Sequence, residues 1–176
     1  MKEYKINVEN LRSFCGTLKA GDRVLLSGTV YTARDAAHKR FMQTIAQCAE
    51  LPIDIKDAVI YYAGPTPAPE GLPIGSCGPT TSSRMDAFAP KLLDMGLCAM
   101  IGKGPRSREV NEAIIRNRAV YLCAIGGAGA LAAKSVKSLE VVAYDELGCE
   151  SVKRLEVENF PLTVAIDCTG SSLFDR

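Results

Sequence analysis

The sequence predicts an α/β fold with a central, largely parallel sheet and an extra β layer supplied by the two chain ends. Three observations carry that prediction. Apolar runs of strand length recur at residues 23–31, 57–63, 97–101 and 119–125. Segments with helical apolar spacing lie between them, which is the alternation that parallel pairing requires, since each crossover needs an intervening element. Strand-like segments at both ends, 4–8 and 153–167, lack such helices and suit a further layer. With 176 residues, the chain is expected to form a single domain, 1–176.

In chain order, residues 4–8 alternate polar and apolar, and 18–22 read as a turn. The run 23–31 is rich in β-formers. Thr32 or Asp35 can cap the next element, a helix over 36–49 with Ala37, Phe41, Ile45 and Cys48 on one face. The strand at 57–63 ends in Gly64-Pro65-Thr66-Pro67-Ala68-Pro69, which can be neither helix nor central strand. Thr80-Thr81-Ser82-Ser83 offers several caps for a helix over 85–95, with Pro90 marking a kink or a break. A short strand at 97–101, a helix over 107–117 (Val110, Ala113, Ile114) and a strand at 119–125 follow. An Ala-rich helix to about 136 and a strand at 139–144 come next. The tail reads as two strands, 154–158 and 162–166, broken at Asn159-Phe160-Pro161.

Composition excludes several function classes. A net charge of +1 gives no reason to expect nucleic acid or an anionic membrane as partner. No apolar run approaches the ~18 residues of a membrane helix, and the first nine residues lack a signal-peptide core. The chain is therefore read as cytoplasmic. Its seven cysteines are widely spaced and form no C-x-x-C pair. With His38 the one histidine, a metal site built by this chain alone is not expected.

Three polar clusters can carry chemistry. Residues 75–86 combine glycines, four consecutive hydroxyls and Arg84 ahead of a helix. That suits a carboxylate or phosphate at a helix N-terminus with a bidentate arginine. The competing reading is an over-capped helix with a solvated arginine. Thr80 and Arg84 converge either on one helix face or across a loop–helix junction. Residues 29–40 lie where a strand gives way to a helix and place Arg34 in the first helical turn. Lys39 and Arg40 can simply face solvent, Asp35 can simply cap, and His38 is either a satisfied or surface histidine or a proton carrier. Ile101-Gly102-Lys103-Gly104 places a lysine between glycines after an apolar strand. Arg34, Thr80, Arg84 and Lys103 all follow strands or strand-ending loops, and in an open α/β sheet such ends share one edge. A rival pattern, Gly127-x-Gly129-x-x-Ala132 with Asp145 further on, resembles a dinucleotide-binding fingerprint. It sits too late in the chain for a second mononucleotide half.

These clusters also carry a family resemblance, through residues 26–40, 62–67, 78–86, 101–104, 126–131 and 155–161. They resemble, in order, the β subunit or C-terminal domain of class I fumarate hydratases and L-tartrate dehydratases. The segments around Arg34 and Arg84 are the specific ones. The resemblance implies a swivelling β/β/α domain that closes over an active site. It implies a partner α subunit that binds a 4Fe-4S cluster through three cysteines, in a hetero-oligomer of α2β2 type, with a dicarboxylate as substrate. Arg34, Arg84 and Lys103 resemble the family's substrate-binding residues. Thr80, with Lys103, resembles its catalytic residues, the threonine lying near the proton to be abstracted and working with an aspartate of the partner.

Such chemistry needs a base at one carbon and cationic clamps for two carboxylates. A free threonine hydroxyl is too weak a base near neutrality without a charged neighbour. The expected function is reversible hydration of fumarate to malate. The alternatives are an L-tartrate dehydratase β subunit and a non-catalytic dinucleotide- or anion-binding module.

Overall fold

The computed structural model describes residues 1–124 and 129–175. Their order is β1 (Glu3–Asn7), α1 (Val8–Phe14), β2 (Arg23–Thr32), α2 (Asp35–Ala46), β3 (Val59–Tyr61), a 3-10 turn (Ser82–Met85) and α3 (Ala89–Asp94). There follow β4 (Ala99–Gly102), α4 (Arg108–Arg116), β5 (Val120–Cys123), α5 (Gly129–Lys134), β6 (Val136–Ala143), a second 3-10 segment (Asp145–Glu150) and β7 (Val152–Ile166). The fold is mixed α/β, and β1 to β5 run parallel, neighbour to neighbour.

β7 runs antiparallel to β5, to β6 and, along most of its length, to β2. The terminal strands therefore join the same hydrogen-bonded sheet, and the pairings β2–β3–β4–β5–β7–β2 close into a ring. Period-two alternation then sorts side chains to two sides. Val59, Tyr61, Ala99, Ile101, Val120, Leu122, Leu155, Val157 and Val164 fill one apolar cluster. Their neighbours Ile60, Met100, Tyr121, Ala165 and Ile166 pack with α2, α3 and α4 in the other.

Local chemistry explains where elements differ from the sequence reading. α1 was not anticipated; the Asn7 side chain caps it by accepting from the Glu9 N–H at 3.1 Å, and Leu11 anchors it in the core. The expected helix over 85–95 is two elements. Pro90 sits in the first turn of α3, where its missing N–H costs nothing, so it opens a helix instead of kinking one. The expected break at 159–161 is a bulge. Between the pairs Leu26–Phe160 and Gly28–Val157, β7 carries one residue more than β2. Asn159 takes it up at φ 49° and Gly28 answers at φ 112°, so β7 continues through Pro161.

Candidate functional site at the strand C-termini

Register places the candidate residues at one edge. Thr32 pairs with Tyr61, and Tyr61 with Ile101, so β2, β3 and β4 end level with one another. Arg34 comes two residues after the end of β2. Lys103 directly follows β4. The return of the proline-rich loop brings Thr80 to the end of β3, its N–H donating to the Tyr62 carbonyl at 2.7 Å. Thr81 then bridges in parallel to Lys103.

Arg34 holds the N-cap position of α2 in extended conformation, just before the first turn, and its side chain does not cap. Instead it lies over Gly64: a β-carbon there would sit 2.8 Å from Nη1 and 3.1 Å from Cδ, so a larger residue would push the guanidinium aside. Nη2 pairs with Glu150 at 3.3 Å, and Nε is buried without a partner. The backbone on either side of Glu150 is held by Lys153, whose buried ammonium reaches the carbonyls of Gly148, Cys149 and Ser151 and the Ser151 hydroxyl at 2.7–3.3 Å. Burial lowers the pKa of Lys153, and the four oxygens hold its charge in place. Arg84 is half-exposed and donates from Nε to Asp35 Oδ1 at 2.9 Å. Among the described residues Lys103, exposed, makes no ion pair. Arg34 thus has Glu150 and Arg84 has Asp35 as a carboxylate partner, and Lys103 has none among the described residues.

The four hydroxyls do not cap a helix as expected. Residues 82–85 form a 3-10 turn with no side-chain cap. The Ser82 hydroxyl accepts from the Lys103 N–H at 3.0 Å and from the Tyr121 hydroxyl at 2.8 Å, and Ser82 N–H donates to the Lys103 carbonyl at 3.0 Å. Thr80 and Arg84 therefore flank a loop segment locked onto the end of β4. Gly102 is required beneath it, since any β-carbon would overlap the Ser82 hydroxyl.

Sequence reading missed what supports this loop. Arg106 is fully buried, with Nε 2.6 Å from Asp86 Oδ1 and its guanidinium 5.3 and 5.0 Å from the Tyr62 and Tyr121 ring centres. Asp86 Oδ2 accepts from Ser107 N–H at 2.7 Å. Burial opposes the Arg106 charge, and Tyr62 and Asp86 outweigh it. Asp86 closes the polar cluster 75–86; Arg106 has no local signal. His38 is fully buried, packed against Phe88, Tyr62 and Phe41, with Nδ1 2.8 Å from the Arg34 carbonyl. Burial lowers its pKa to about 4, so it is neutral near neutrality and donates from Nδ1. It is thus a core histidine, not a surface one. Arg40 pairs with Glu146 at 2.7 Å on the surface.

Of the dinucleotide-like pattern, Gly127 lies outside the described residues. Gly129 packs against Gly78 and Ser76, where a β-carbon would not fit. α5 is six residues long, and among the described residues the following β6 pairs only with β7, antiparallel. That is not the parallel unit a dinucleotide fold needs. Among the described residues no three His, Cys, Asp or Glu side chains are grouped to hold a metal ion. Cys15 and Cys98, 3.7 Å apart, lie at the other end of the strands. No helix among them is long and apolar enough to cross a membrane.

The family model for the fumarase C-terminus matches residues 1–176. The anaerobic class I fumarate hydratase of Escherichia coli (strain K12) is 44% identical over 156 residues, covering 88% of this chain and 28% of its own length. Fumarate hydratase 2 of Leishmania major is 36% identical over 176 residues, 99% of this chain and 31% of the relative. A protein assigned as L(+)-tartrate dehydratase subunit beta in Methanocaldococcus jannaschii is 40% identical over 165 residues, 90% of this chain and 85% of the relative. The chain thus spans under a third of the fumarate hydratases it matches and most of the β subunit.

Proposed function

We propose that this chain, which belongs to the fumarase C-terminus family, is the β subunit of a hydro-lyase that interconverts fumarate and malate by reversible hydration. In this reading residues 1–176 act as one swivelling unit. It closes over a site completed by a separate α subunit, in an α2β2 assembly in the cytoplasm. The observation that carries it is the edge where Arg34, Thr80, Arg84 and Lys103 follow three level strands.

Arg34 and Arg84 hold the two substrate carboxylates, and Lys103 adds charge where the aci-carboxylate develops as the proton leaves. Thr80 takes part in removing that proton, activated by a carboxylate of the partner, because a hydroxyl alone is too weak. The cysteines of this chain do not fit an iron–sulfur cluster: they are not grouped at the edge, and Cys48 and Cys149 are exposed while Cys15, Cys77, Cys98 and Cys168 are buried. A 4Fe-4S cluster, supplying a Lewis acid for the hydroxyl, is accordingly assigned to the α subunit, and no step above runs through it.

The test is turnover of fumarate and L-malate by this chain with its α subunit. Thr80→Ala is expected to cut kcat about 100-fold or more with KM little changed; near-normal turnover removes Thr80 from the mechanism. The similarity to a tartrate dehydratase β subunit supports a second reading, L-tartrate dehydration, and the same assembly assayed with both substrates separates them.

A further inference from the structure

Arg84 is the least anchored of the four edge residues. It rises from a four-residue turn, its side chain is 52% exposed, and among the described residues its one hydrogen-bond partner is Asp35. Asp35 sits in a more enclosed setting. It is the first residue of the twelve-residue α2, where the helix dipole favours a carboxylate. Its side chain is only 22% exposed, and Oδ2 is buried without a partner. The carboxylate is therefore largely enclosed at the helix start and meets Arg84 through Oδ1 alone.

The contact is to Nε, not to the terminal nitrogens, and that decides its consequence. A guanidinium held at Nε keeps its two Nη groups side by side, and this pair is one of the edges that can grip a carboxylate with two parallel hydrogen bonds. We propose that Asp35 is a positioning residue: by taking the Arg84 Nε, it aims the two terminal nitrogens of Arg84 at a substrate carboxylate. This rests on the reading of Arg84 as a carboxylate ligand. Asp35 also follows Arg34 directly, so one dipeptide sets both arginines of the edge. The opposing effect is electrostatic: the Asp35 charge repels a dianion, and if repulsion dominated, neutralising it would tighten binding. The enclosed setting argues that aim outweighs repulsion, since misplacing a clamp by about 1 Å is costly.

The test measures kcat and KM for fumarate and malate in the complete enzyme, this chain with its α subunit, for Asp35→Asn, Arg84→Ala and the double variant. Asp35→Asn is expected to raise KM about 10-fold with a smaller change in kcat and an unchanged melting temperature. It is expected to add nothing to Arg84→Ala. Asp35→Ser, which suits a helix start, must raise KM similarly should the asparagine variant fold poorly. The proposal is overturned if Asp35→Asn leaves or lowers KM while Arg84→Ala raises it, or if its full effect persists without Arg84. Should Arg84→Ala itself leave KM unchanged, the carboxylate reading fails, and Asp35 falls with it.

Discussion

Two arginines, at opposite ends of the parallel strands, use their nitrogens differently. At the N-terminal ends Arg12 donates from Nε to Asp57 at 2.7 Å, from Nη1 to the Asn117 carbonyl at 3.1 Å and from Nη2 to the Gly96 carbonyl at 2.6 Å. It ties α1 to the segments that start β3, β4 and β5, and every guanidinium nitrogen has a partner inside the chain. At the C-terminal ends Arg84 engages one nitrogen, and Arg34 has a single long ion pair and a buried, unpartnered Nε. Pairing with an aspartate does not distinguish the ends. What does is the pairing of the guanidinium nitrogens: every one is engaged in Arg12, whereas among the described residues Arg84 and Arg34 keep nitrogens without a partner.

Substitutions can break that comparison, beginning with the arginine that is most enclosed. Arg106→Ala removes a buried cation and strands Asp86, at an expected cost of about 3–5 kcal/mol, read from the urea midpoint. A loss under ~1 kcal/mol would place this pair among ordinary surface bridges. Arg84→Ala should lower kcat/KM about 100-fold, near 2.7 kcal/mol, while stability stays within ~0.5 kcal/mol because the side chain is half-exposed. Arg12→Ala should do the reverse, costing about 1–2 kcal/mol of stability with kcat/KM unchanged in the assembled enzyme. An activity loss there as large as at Arg84 would erase the contrast between the ends.

The last effect depends on pH and concerns His38. Its folded pKa of about 4 lies below the ordinary histidine value of 6.5, so the unfolded chain binds the proton more readily. The stabilisation from its neutral form is therefore complete above pH 6.5 and is lost as pH falls toward 4, at up to about 1.4 kcal/mol per pH unit. His38→Phe should remove that contribution, seen as a flatter curve of unfolding free energy between pH 6.5 and 4; an unchanged slope would mean that His38 is not the titrating group.

How much was legible from sequence follows the range of the interactions. Helix α4 could be read because Val110, Ala113 and Ile114 repeat locally and Ser107 caps them. The edge residues could be read because each follows a strand, and parallel strands that share a register end together. The bulge at Asn159 could not: it exists only because β7 pairs with β2 far earlier in the chain. Nor could the shift from helix to 3-10 turn at Ser82, whose hydroxyl is claimed by Lys103 and Tyr121 from other strands. Arg106 reads as one more charged residue until the fold buries it between two tyrosines. Gly102 was noted for its position, but its necessity appears only once Ser82 lies on top of it.

The most direct measurement is the affinity of the complete enzyme for succinate, an unreactive dicarboxylate, by isothermal titration. The wild-type assembly should bind it saturably, and the folded Arg34→Ala/Arg84→Ala variant should bind it at least ~100-fold more weakly, given two lost charge-assisted clamps. Equal affinity in the two proteins would contradict the assignment of this edge as the place where the substrate's carboxylates are held.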